Sequence, residues 1–282
     1  MSEALRGQVA IVTGGSRGIG LAIATALATE GVAVALVARS REAVEAAARN
    51  ILATGTRAIA LAADVTDQGA VAWIVEETVR QLGPIDLLVN NAGAGSTAAV
   101  GPVWDVDPEV WWRDVATNLR GSFLCARAVL PGMLARHRGR ILNVVSGLGI
   151  HTHPESKPTP YASAYSSSKA ATIVLTENLA AMTQDHGVRV FALRPGFVRT
   201  KLTEEGAQSP AGRQWLPEFQ AMLDSDRLVP PERAARWAVF LASGEADDLS
   251  GRVFNATHDS NTLGGRSTEI RREGKYLLRL CE

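Results

Sequence analysis

The stretch Val9-Ala10-Ile11-Val12-Thr13-Gly14-Gly15-Ser16-Arg17-Gly18-Ile19-Gly20-Leu21-Ala22-Ile23-Ala24 decides the reading of this chain, because an apolar run breaks at a glycine-rich turn and resumes with helical spacing. Gly14, Gly18 and Gly20 can take backbone angles closed to other residues, and they allow a phosphate group against the main chain and close packing of helix on strand. Ser16, Arg17 and Ile19 complete the turn. The first N–H groups of the helix that follows have no partner within it and carry partial positive charge, which suits an anion. An ordinary glycine loop has the same appearance, so the rest of the chain must decide.

That rest repeats the pattern. Apolar runs at 9–12, 32–37, 58–62, 85–89, 140–145 and 188–193 alternate with helix-length segments, among them 42–54, 68–81, 108–136 and 163–186, with Gly83, Gly139 and Gly187 as stop signals near their ends. The alternation predicts βαβ units and an α/β fold with a doubly wound parallel sheet. The runs are apolar throughout, as expected for strands covered by helices on both faces. Right-handed crossovers then bring all the strand C-termini to one sheet edge, where ligands bind.

Chemistry-bearing residues fall at that edge. Asp64-Val65 follows the third run, Asn90-Asn91-Ala92-Gly93 the fourth and Ser146 the fifth, while Tyr165 and Lys169 lie four apart in a helical segment. Residues at this spacing share a helix face. A cation beside a phenol favours the phenolate and makes tyrosine usable as an acid or base near neutral pH. Each residue also has a plainer reading. A Tyr/Lys pair can be a solvated helix face, Ser146 a strand-ending serine, Asn118 a helical residue with a local hydrogen bond, and Asn90 and Asn91 partly turn-formers.

Taken in order, Thr13-Gly-x-x-x-Gly-x-Gly20, Asn90-Asn91-Ala92-Gly93, Asn118, Ser146, Tyr165-x-x-x-Lys169 and Arg194-Pro195-Gly196-Phe197-Val198-Arg199-Thr200 resemble the short-chain dehydrogenases/reductases, over about residues 5–255. The resemblance implies a single-domain Rossmann-type fold over 1–266 with a C-terminal extension at 267–282, and nicotinamide-dependent interconversion of alcohol and carbonyl. It implies Tyr165 as the acid/base and Lys169 as the residue that holds the nicotinamide ribose and lowers the tyrosine pKa. Ser146 would hydrogen-bond the substrate oxygen, and Asn118 would anchor a water that links Lys169 to solvent. Asn91, Ala92 and Gly93 would line the cofactor. Asp64 and Val65 resemble the adenine-binding pair, and Pro195, Gly196, Val198 and Thr200 the segment that holds the nicotinamide amide.

The second strand-like run selects the cofactor. An acidic residue at its end hydrogen-bonds a ribose 2′-hydroxyl and repels a 2′-phosphate, but here the run ends Val37-Ala38-Arg39-Ser40. Arg39 and Arg17 are guanidinium groups suited to phosphate, so NADP(H) is expected and NAD(H) is the alternative, in which Arg39 stacks on adenine or caps the next helix.

Several features depart from the family pattern. Ser146 and Tyr165 are farther apart than usual, so the loop at 151–160 reads as an insertion walling the substrate site. His151 and His153 within it read as solvated residues, and no metal site is expected. Arg194 reads as an ion pair at the sheet edge in preference to a substrate contact. The segment at 202–226 suggests a helical lid. The stretch from Ser250 to His258 follows the family's last strand without its usual acidic, glycine-rich ending. Of the adjacent Trp111 and Trp112, one fits a core and the other calls for a surface or a partner, so a homodimer or homotetramer is expected. The charged tail at 267–282 reads as peripheral, with Tyr276-Leu277-Leu278 able to dock on a neighbour.

Bulk properties narrow the partners. The chain has 282 residues, 46% of them hydrophobic, and its 29 basic and 29 acidic residues cancel, which removes the electrostatic basis for nucleic-acid or membrane binding. A small-molecule alcohol or carbonyl is the expected partner. Cys125 and Cys281 form no disulfide framework or metal spacing and read as free thiols. With no signal-like N-terminus and no membrane-length apolar run, a cytoplasmic location is expected. The rival from another class is a dinucleotide-sensing protein without turnover, which predicts loss of Tyr165, Lys169 or Ser146; all three are present.

Overall fold

Seven short apolar segments pair side by side in a computed structural model, which describes residues 4–150, 159–263 and 266–277. They are β1 (Val9–Thr13), β2 (Ala33–Ala38), β3 (Ala58–Ala62), β4 (Leu87–Asn90), β5 (Gly139–Val144), β6 (Val188–Arg194) and β7 (Val253–Asn255). All pairs are parallel and the order is β3-β2-β1-β4-β5-β6-β7, so the chain reverses its direction of strand addition between β1 and β4. This is the doubly wound α/β fold of the Rossmann type, with its ligand crevice at that switch point.

Side chains alternate along each strand, and both faces are dry. Ala10, Val12, Val34 and Leu36 join one core with α1 (Gly18–Thr29), α2 (Arg41–Leu52) and α10 (Pro231–Ser243). Val9, Ile11, Ala35 and Val37 join the other with α3 (Gln68–Gln81), α5 (Gly121–Ala135) and α6 (Ser163–Thr183). Continuous apolarity of the strands follows from this two-sided burial.

The helical segment at 108–136 differs from expectation. It divides into α4 (Pro108–Val115) and α5, joined by one π turn over Ala116–Arg120. A π turn accommodates an extra residue, and such turns recur at functional sites. Asn118 lies within it, fully buried. The stop after 163–186 is as read: α6 gives way to a short 3-10 turn, and Gly187 takes a φ of +70°, where a Cβ would lie 2.0 Å from the His137 carbonyl oxygen.

After β6 come three short helices in place of one lid helix: α7 (Lys201–Gln208), α8 (Pro210–Trp215) and α9 (Pro217–Leu223). Thr200 and Ser209 cap the first two, and Pro210 and Pro217 open the second and third. β7 lies inside the 250–258 stretch instead of before it. The tail also departs from a peripheral role. Ile270 of α11 (Ser267–Arg272) joins the α1/α10 core, the Val253 N–H donates to the Tyr276 carbonyl at 2.8 Å, and the Tyr276 ring lies 6.0 Å from that of Phe254. Apolar Ile270 and Tyr276 outweigh the surrounding charges. His151, His153 and most of the expected insertion lie outside the described residues, as do Leu278 and Cys281.

Candidate active site

At the switch point the main chain is drawn tight by its glycines. Gly14 and Gly18 have φ of +63° and +55°, and a Cβ on Gly20 would lie 2.3 Å from the Gly14 carbonyl oxygen. A Cβ on Gly14 would lie 2.8 Å from Asn91 Nδ2. α1 starts at Gly18 without a side-chain cap, so its first N–H groups face the crevice with no side-chain acceptor. Ser16 is half-buried in the turn, and Ile19 reaches forward into the cavity described below. This cradle fits the pyrophosphate of a dinucleotide, which needs close backbone approach and a helix N-terminus.

The loop after β4 is latched to β1. Thr13 Oγ1 accepts the N–H groups of Asn91 and Ala92, each at 3.0 Å, and Asn91 Nδ2 donates to the carbonyls of Thr13 and Gly14 at 3.0 and 3.2 Å. Asn91 and Ala92 therefore hold the crevice open as well as line it. Asn90 points into the sheet, donating to Asn143 Oδ1 at 2.9 Å and the Ser122 carbonyl at 3.2 Å.

In the turn and at the end of β2, Arg17 and Arg39 are exposed, and neither guanidinium makes a hydrogen bond or ion pair with another described residue. Ser40 caps α2 through the Ala43 N–H. Asp64 Oδ1 accepts the N–H and Oγ1 of Thr66, both at 2.8 Å. Val65 packs on Gly121, where a Cβ would lie 2.7 Å from its Cγ2.

The other half of the crevice gathers Ser146, Tyr165, Lys169 and Asn118. The Lys169 ammonium, 4% exposed, donates to the Val144 carbonyl at 2.8 Å and lies 5.8 Å from the centre of the Tyr165 ring. Asn118 Nδ2 donates to the Ala94 carbonyl and to Ser168 Oγ, and its Oδ1 accepts the Ala94 N–H, all at 2.9 Å. Gly93 lies between them: a Cβ there would be 3.2 Å from Asn118 Oδ1 and 3.6 Å from Lys169 Nζ. Ser168 Oγ in turn donates to the Tyr165 carbonyl at 2.8 Å, a link hidden in sequence by the run Ser166-Ser167-Ser168.

Electrostatics differ from the sequence expectation in one respect. Burial raises the Tyr165 pKa above its ordinary value, with the Ser146 hydroxyl pulling it back down. Burial also lowers Lys169, to about 8. Burial penalises the charged form of both groups, so the phenol is not made more acidic by its neighbour as the sequence suggests.

Ser146 and Tyr165 line a cavity of about 140 Å³. Pro195, Gly196, Val198 and Thr200 form one wall, with Gly196 at a φ of +82° and Val198 buried. Phe197, Leu202, Leu216 and Phe219 close the wall and lid with apolar surface. Arg194, expected in an ion pair, makes none with a described residue. Its Nε is buried without an acceptor, its pKa is lowered by burial, and its guanidinium lies over Gly147, where a Cβ would be 2.9 Å from Nη2. The absence of a side chain at Gly147 makes that room.

Sequence reading also passed over Asp114, which lines the cavity although only 3% exposed. Its Oδ2 accepts the Ser96 N–H at 2.6 Å. The available signal was its position four residues before Asn118, on the same helix face.

The family model for short chain dehydrogenases matches residues 8–210. The chain is 36% identical to 2-(S)-hydroxypropyl-CoM dehydrogenase 3 of Xanthobacter autotrophicus, over 90% of its own length and 96% of the relative's. It is 37% identical to galactitol 2-dehydrogenase of Rhizobium johnstonii, over 89% and 94% of the two chains. A crystal structure of NAD+-bound xylitol dehydrogenase superimposes with a TM-score of 0.77 at 31% identity, covering 89% of this chain and 98% of that one. No helix among the described residues is long and apolar enough to cross a membrane.

Proposed function

The chain belongs to the short-chain dehydrogenase/reductase family, and from that premise we propose that it transfers a hydride between NADP(H) and a ketone or secondary alcohol, with Tyr165 passing the proton. Membership entails oxidoreduction of small-molecule alcohols and carbonyls with a nicotinamide dinucleotide. The residue roles rest chiefly on one observation, the convergence of Ser146, Tyr165, Lys169 and Asn118 at the carboxyl edge of the sheet, two of them lining a largely apolar cavity.

When bound, the nicotinamide supplies or accepts the hydride. Ser146 donates a hydrogen bond to the substrate oxygen and stabilises the charge that develops there. Tyr165, kept protonated by burial, gives its proton to that oxygen in reduction and takes it back in oxidation. Lys169 binds the ribose, with its ammonium 5.8 Å from the centre of the Tyr165 ring. Asn118 holds the segment at Ala94 against Ser168, which fixes Tyr165 through its carbonyl, and anchors a water between Lys169 and solvent. Gly14, Ser16, Gly18, Ile19 and Gly20 cradle the pyrophosphate, Asp64 and Val65 hold adenine, and the 195–200 segment holds the carboxamide.

Preference for the 2′-phosphorylated cofactor is supported by Arg17 and Arg39, two guanidinium groups without partners among the described residues. The NAD+ of the xylitol dehydrogenase structure favours the second reading, an NAD-dependent enzyme. Steady-state turnover of a ketone and secondary-alcohol panel with each cofactor tests the choice. Arg39→Ala should raise the KM for NADPH about tenfold or more and change that for NADH little, since a guanidinium–phosphate contact is a charge-assisted hydrogen bond. Equal losses for the two cofactors point to adenine stacking and NAD. Absence of turnover with either, alongside dinucleotide binding, supports the sensor instead.

A homodimer or homotetramer is part of the same reading. Trp111 is tied to Ser163 Oγ at 3.1 Å, whereas Trp112 is 58% exposed and borders an apolar groove with Leu119, Phe123 and Leu175 on α4–α6. Such a patch suits burial against a second copy.

A further inference from the structure

Among the described residues, the cavity that holds the reacting groups is apolar apart from hydroxyls and one carboxyl group. Ser96, Ser146, Tyr165, Thr200 and Thr203 supply hydroxyls, Phe197 and Phe219 are typical of the walls, and Asp114 is the one carboxyl group among the described residues of the lining. An acid on an apolar wall is costly unless it is used. Asp114 is held by the Ser96 N–H at 2.6 Å through Oδ2, a bond that fixes its carboxyl group in the wall and leaves Oδ1 outside that contact. Burial pushes its pKa up, with the Ser96 N–H and the charge of Arg113 pulling the other way.

Resting on the oxidoreductase reading above, we propose that Asp114 is a specificity-determining residue, which accepts a hydrogen bond from a second hydroxyl of the substrate. The substrate class is then a largely apolar ketone or secondary alcohol that carries one further hydroxyl away from the reacting carbon. The reacting oxygen lies on Ser146 and Tyr165, the carbon skeleton lies against Phe197, Leu202 and Phe219, and the second hydroxyl reaches Asp114. A site built to hydrogen-bond a hydroxyl discriminates strongly against an analogue that lacks it, because the polar group of the site is left unpaired.

Matched pairs of probes read this directly. 4-(4-Hydroxyphenyl)-2-butanone against 4-phenyl-2-butanone, and 5-hydroxy-2-pentanone against 2-pentanone, differ by one hydroxyl each. Affinity is measured by quenching of bound NADPH fluorescence, and kcat and KM by NADPH consumption, for the wild type, Asp114→Asn and Asp114→Leu. We expect the wild type to favour the hydroxylated member of at least one pair by about 10- to 100-fold, the range of a hydrogen bond to a charged or strongly polar group. Asp114→Asn should keep part of that preference, and Asp114→Leu should abolish or invert it, acting on KM more than kcat.

Equal loss for both members of a pair in Asp114→Leu would assign Asp114 to holding Ser96 alone and overturn the proposal. So would the lack of any preference in the wild type, by binding or by turnover. Failure of the oxidoreductase reading has a separate signature: NADPH is not consumed with any probe, while the fluorescence titrations still report whether Asp114 discriminates.

Discussion

Lys169 shows how burial sets the chemistry of a single residue. Its ammonium lies on the Val144 carbonyl inside the protein, and desolvation brings its pKa from the ordinary 10.5 to about 8. The unfolded chain keeps the higher value, so between the two it binds more protons than the folded chain, and stability rises with pH across that window. Read downward, the cost of the buried ammonium grows as pH falls from 10.5 and is complete once pH is below about 8. Lys169→Met should therefore gain stability relative to the wild type near pH 7, and the gain should shrink as pH rises through 8 to 10. Unfolding midpoints of both proteins across this range check it; a pH-independent difference contradicts it. Tyr165 and Lys169 were legible because a helix brings residues four apart to one face. Ser168 and Asp114 were not, since a lone polar residue in a helix has many roles, and only the partners Asn118 and Ser96 show which applies.

At the scale of elements, strands were the most legible feature, because burial on both faces writes itself as continuous apolar sequence. The break in the long helix was invisible, since Ala116-Thr117-Asn118-Leu119-Arg120 has ordinary helical composition. What marks the π turn is tertiary: Asn118 bonds both backbone groups of Ala94 and the Ser168 hydroxyl while its own carbonyl accepts Ser122 Oγ at 2.8 Å. Asn118→Leu leaves both backbone groups of Ala94 without their side-chain partner, while the carbonyl that Ser122 uses is kept, and should lower unfolding free energy by about 2–4 kcal/mol, given the cost of unsatisfied buried polar groups. Denaturant unfolding reads this directly, and a change below about 0.5 kcal/mol would mean that neighbouring residues hold the turn without it. The lid was legible as helical but not as three pieces, although Pro210 and Pro217 mark the beginnings of the last two.

Across the whole molecule, the parallel order 3-2-1-4-5-6-7 brings the glycine turn, Asn91, Ser146 and the α6 pair to one edge, so fold and site are a single consequence of topology. The seventh strand and the tail escaped the sequence reading for a shared reason. β7 has only three residues, and Tyr276 binds its backbone from a segment whose charges conceal its two apolar anchors. The central claim, hydride transfer with Tyr165 as the proton carrier, is tested most directly with NADPH deuterated at the transferring position and a ketone from the panel. The account predicts wild-type product alcohol carrying one deuterium on the carbinol carbon. It predicts that Tyr165→Phe forms no labelled alcohol while binding NADPH within about tenfold of wild type, the effect of at most one net hydrogen bond. Unlabelled product from the wild type, or most of the activity surviving in Tyr165→Phe, would contradict it.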